Sequence, residues 1–68
     1  MKNYNHDLIH QLSEMLDSAW RFKEYAKNAK GNCADCHKMW QDIKKGCEDK
    51  IEKIKRELVL HAKKGLLE

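Results

Sequence analysis

Two long runs of apolar residues at spacings of three and four, interrupted only where Gly31 and Asn32 fall side by side, constrain this chain more than anything else in it. Such spacing gathers apolar side chains on one face of a helix, and a single break between two such runs makes a helical hairpin. Proline is absent and only three glycines occur in 68 residues, so little in either run stops a helix and nothing favours a strand. The expected fold is all-α: one domain, an antiparallel two-helix hairpin with a helix over 6–30, a turn at 31–32 and a second helix over 33–64.

Local signals set those boundaries. Asn5 is placed to cap the first helix, with Asp7 in its first turn where a negative charge suits the helix dipole. Lys27 and Lys30 occupy the last turn and Gly31 follows where a left-handed residue ends a helix. Asn32, with Asp35 three residues on, is expected to cap the second helix, which ends at Gly65 with Leu66 folding back on the last turn. Gly46 lies inside that helix, costs about 1 kcal/mol relative to alanine and marks a candidate bend.

The first helix carries two overlapping stripes, Ile9-Leu12-Leu16-Ala19-Ala26 and Leu8-Leu12-Met15-Ala19-Phe22-Ala26-Ala29. The second has one seam, Trp40, Ile43, Cys47, Ile51, Ile54, Leu58, His61 and Gly65. One partner helix cannot cover both stripes, so two or more chains are expected to associate, most simply as a homodimer forming an antiparallel four-helix bundle. Lysine and glutamate cover the outside, with Asp17 to Arg21, Asp49 to Lys53 and Glu52 to Arg56 at the four-residue spacing of surface ion pairs. Trp20, Phe22, Tyr25 and Trp40 are expected to cluster near the closed end.

Fourteen basic and eleven acidic residues leave a formal charge of +3, interleaved along the chain, which does not make nucleic acid a partner. No stretch approaches the roughly 20 apolar residues that span a bilayer, and the amino end lacks a signal-like apolar run; a cytoplasmic protein without a membrane partner is expected. Three cysteines cannot all pair within one chain, and reducing surroundings keep them as thiols or metal ligands.

The chemistry-bearing stretch is Gly31-Asn32-Cys33-Ala34-Asp35-Cys36-His37-Lys38-Met39-Trp40. Cys33 and Cys36 at the start of a helix lie where free backbone N–H groups favour thiolates, and projection at 100° per residue puts Cys36 near the seam with Cys33 and His37 to one side, so the three can meet one ligand. As a metal clip, Cys33 and Cys36 supply half of a tetrahedral zinc or iron site with His37 as a third ligand. Cys47 is too far along the helix to join, about 16 Å of rise from Cys36. A second chain docked in parallel brings a second pair; antiparallel docking places the pairs at opposite ends. The competing reading treats Cys36 and Cys47 as small core residues. A thiol–disulfide oxidoreductase is disfavoured because the strands of its usual scaffold are missing.

By pattern, Cys33-Ala34-Asp35-Cys36-His37 resembles the attachment motif of c-type cytochromes, which implies covalent haem held by both thiols with His37 on the iron. The outline of Glu14-Met15-Leu16-Asp17-Ser18-Ala19-Trp20, a polar helix end and a second long helix is similar to the short ferritin-like hairpins, including the encapsulated ferritins. That resemblance implies dimerisation into a four-helix bundle and an iron site using Glu14 together with a Glu-x-x-His on the second helix. No such tetrad occurs there: Glu48, Glu52 and Glu57 are followed three residues on by Ile51, Lys55 and Leu60.

Of the histidines, His6 and His10 share an outer face with Asp17 and read as solvated surface. His61 falls on the seam opposite Tyr4 and Leu8, where an imidazole needs a hydrogen-bond partner, and Glu57 four residues before it makes a weak metal pair. The expected function is that of a small self-associating bundle protein without a catalytic centre of its own, binding a metal ion through Cys33 and Cys36; the alternatives are a c-type haem protein and a ferritin-like iron-binding protein.

Overall fold

The structure, a computed structural model, describes residues 2–66. It is an all-helical hairpin of α1 (Asn3–Ala29) and α2 (Ala34–Lys63), with no strand among the described residues. The helices lie along each other in a rod 49 × 15 × 11 Å. No helix in it is long and apolar enough to cross a membrane.

Along α1 the positions Asn5, Leu8, Leu12, Met15, Ala19, Phe22, Ala26 and Ala29 are covered in an alternation of three and four, with Ser18 and Glu24 also partly covered beside them. Along α2 they are Cys33, His37, Trp40, Lys44, Cys47, Ile51, Ile54, Leu58 and His61. This is the seven-residue repeat of two helices meeting on one stripe. The seam therefore passes through Lys44 and leaves Ile43 exposed, contrary to the expected Ile43. Placing Ile43 inside breaks the alternation, because Cys47 and Ile51 then follow at two successive steps of four. The Lys44 stem covers the seam while its Nζ reaches Glu48 Oε1 at 3.4 Å.

The helix starts differ from expectation. Asn5 does not cap α1, which begins at Asn3 behind an extended Lys2 with no side-chain cap. Asn5 stands one heptad before Leu12, on the seam, and is fully buried. Its Nδ2 donates to Leu66 O at 2.6 Å and its Oδ1 accepts from His61 Nδ1 at 2.7 Å. Tyr4 meets the His61 ring edge-on at 5.5 Å, so the predicted neighbour is present while the hydrogen bond goes to Asn5. Gly65, at φ +68, turns the chain so that Leu66 N–H donates to His61 O at 2.8 Å, the fold-back expected of this terminus.

At the closed end Gly31 adopts φ +84, as predicted. Asn32 caps the end of α1 rather than the start of α2: its Nδ2 donates to Asn28 O at 3.2 Å. An amide carries donors as well as an acceptor, and the orphan carbonyls of α1 are within its reach. Gly46 interrupts nothing, since α2 runs through it. Among the described residues the three expected surface ion pairs are not made; Lys44 with Glu48 and Lys55 with Glu52 take their place.

A Cβ added at Gly46 meets nothing within 4 Å, so Gly46→Ala is expected to raise stability by about 1 kcal/mol, whereas Gly31→Ala lowers it by a similar amount because of its positive φ. Urea midpoints at one protein concentration check both signs. Asn5→Ala strands the His61 Nδ1–H and the Leu66 carbonyl and is expected to cost about 1–3 kcal/mol in the same assay.

Candidate functional site at the hairpin tip

The tip is built by the way α1 ends and α2 begins. Ala26 O accepts from Lys30 N–H at 3.1 Å and from His37 Nδ1 at 2.7 Å. Lys27 O accepts from Lys30 N–H, Asn28 O from Asn32 Nδ2, and Ala29 O from the N–H groups of Asn32 and Cys33. All four terminal carbonyls of α1 are thus satisfied, and His37 is one of their donors. Because a carbonyl only accepts, His37 Nδ1–H is the donor of this bond.

Cys33 is the N-cap of α2, extended at φ −148 and ψ 99, and its Sγ accepts from Cys36 N–H at 3.1 Å. This fold-back over the first turn brings the two sulfurs together, and they are joined as a disulfide with Cα atoms 5.2 Å apart. The projection reverses: Cys33, in the cap, is half-buried and Cys36 is exposed. A cap residue lies outside the helix, so 100° per residue does not apply to it.

The sulfur pair lines a shallow groove with Tyr25, Asn28, Ala29 and Trp40. Trp40 packs against Tyr25 at 4.9 Å between ring centroids and stacks on Phe22 at 5.8 Å. Trp20 does not join this cluster; it is 63% exposed on the outer side of α1. His37 lies in a different groove, with Lys23, Lys27, Lys30, Gln41 and Lys44. Of the three residues read as one site, Cys33 and Cys36 come together and His37 is turned away to hold α1.

Among the described residues no three His, Cys, Asp or Glu side chains gather as a ligand set. Cys47 remains a free thiol, half-buried on the seam, its Sγ donating to Met15 O at 3.4 Å. His6 and His10 stack in parallel at 6.1 Å on the outer surface, and Glu14 lies exposed with an oxygen 4.0 Å from His10 Nε2. At the other end of the rod, Glu57 Oε2 is 3.6 Å from His61 Nε2. Sequence reasoning missed two roles, the buried Asn5 and the capping His37. The heptad contained the first, because seven residues before Leu12 is Asn5; nothing local signals the second.

Compared with protein families, characterised proteins and solved structures, the chain matches none. His37→Ala is expected to lower the urea midpoint by the equivalent of about 1 kcal/mol, the worth of one hydrogen bond, with Gln at 37 recovering part of it.

Proposed function

We propose that the chain is a self-associating helical hairpin whose copies pair into a four-helix bundle. The observation that carries this reading is the outer half of the double stripe. Leu12, Ala19 and Ala26 turn toward α2, while Ile9 and Leu16 remain 45% and 48% exposed with Trp20 beside them on the same side of α1. Only Ala26 and Ile51 are buried apolar residues among those described, so one hairpin hides little of its apolar surface. Covering the exposed halves of Ile9, Leu16 and Trp20 contributes about 1 kcal/mol each, and both copies contribute.

The pair at Cys33 and Cys36 is the metal-binding element of this reading. Reduced, it offers two thiolates to a zinc ion, and a second copy with its tip alongside supplies the other two of a tetrahedral set.

Sedimentation equilibrium at micromolar concentration tests the assembly. A dimer is expected, with Leu16→Asp weakening it at least tenfold while helicity is retained. A monomeric parent chain overturns the proposal.

A further inference from the structure

Cys33 and Cys36 differ in a way that a structural crosslink does not require. Cys36 is exposed on the first turn of α2, in the shallow groove lined by Tyr25 and Trp40. Cys33 is half-buried, and its sulfur already accepts the Cys36 N–H. The bond closes a loop of two intervening residues, so it restrains little of the chain. One sulfur is open to attack and the other is solvated in advance by the protein as a leaving group.

We infer that the Cys33–Cys36 pair is a thiol–disulfide exchange site that oxidises dithiol partners, with Cys36 the sulfur attacked and Cys33 the sulfur that leaves. A partner dithiol, ionised at one sulfur, attacks Cys36 Sγ. The Cys33–Cys36 bond breaks and its electron pair departs on Cys33 Sγ, where the Cys36 amide and the positive end of α2 stabilise the thiolate. The second partner thiol gives up its proton and attacks the partner sulfur of the mixed disulfide. That bond breaks with its electron pair on Cys36 Sγ. The partner leaves as a disulfide, two electrons have passed to the chain, and the two protons lost by the partner go to water or to the new thiols.

Stabilising the reduced form of such a pair makes its disulfide a better oxidant. Cys47, half-buried on the seam and bonded to the Met15 carbonyl, takes no part. The inference does not rest on self-association, since every group it uses lies within one hairpin.

The test is equilibration of the intact chain with dithiothreitol, compared with a peptide of residues 31–38 that has the same cysteines without the hairpin. Thiols are trapped by alkylation and located by mass spectrometry, which keeps Cys47 separate. The folded chain is expected to be reduced with an equilibrium constant at least tenfold larger than the peptide, about 30 mV for a two-electron couple. A ratio of one or less overturns the inference. Direction is tested with glutathione disulfide on Cys33→Ser, whose hydroxyl keeps a cap on α2, and on Cys36→Ser, both checked for helicity. The adduct at Cys36 in the first variant is expected to form at least tenfold faster than the adduct at Cys33 in the second, and equal rates refute the assignment of Cys36 as the sulfur attacked.

Discussion

A hairpin of two helices has a single internal surface, and everything in this molecule depends on how that surface is filled. The three-four alternation admits one line of residues from each helix, whatever their chemistry. It takes in Asn5, Lys44 and His61 along with Leu12, Ile51, Ile54 and Leu58. The polar members are tolerated because each has a partner: Asn5 and His61 bond each other, Asn5 also holds the Leu66 carbonyl, and Lys44 sends its charge out to Glu48. A buried asparagine at such a position pairs well in one register only, so the Asn5–His61 contact also selects the alignment of the two helices.

At the tip the same atoms serve structure and chemistry. Cys33 Sγ is at once the cap of α2, the acceptor of the Cys36 amide and half of the sulfur pair. His37, adjacent in sequence to Cys36, is committed to the last turn of α1 through Ala26 O. The turn thus divides its functional side chains between two grooves, one aromatic and sulfur-lined, the other basic.

The two helices, the left-handed glycines at 31 and 65 and the fold-back of Leu66 were legible in the sequence because each depends on neighbours a few residues away. Asn5 was misread as a cap because a local preference for helix starts competes with a seam position that only the partner helix makes meaningful. Ile43 and Lys44 were exchanged because hydrophobicity favours isoleucine while the repeat favours lysine, and the repeat prevails when a lysine stem can lie along the surface. For the candidate site, the cysteine pair was legible as a pair, but its disulfide and the separation of His37 were not. The first goes with Cys33 folding back as the cap of α2 and the second with the bond from His37 to the Ala26 carbonyl, contacts that spacing alone does not contain.

The bond from Asn5 to the Leu66 carbonyl brings the two extremities of the described chain to one end of a rod 49 Å long, with the sulfur pair at the other. The molecule therefore has a handle and a tip. A label or surface attached at residue 2 or residue 66 is therefore anchored at the end of the rod away from the sulfur pair.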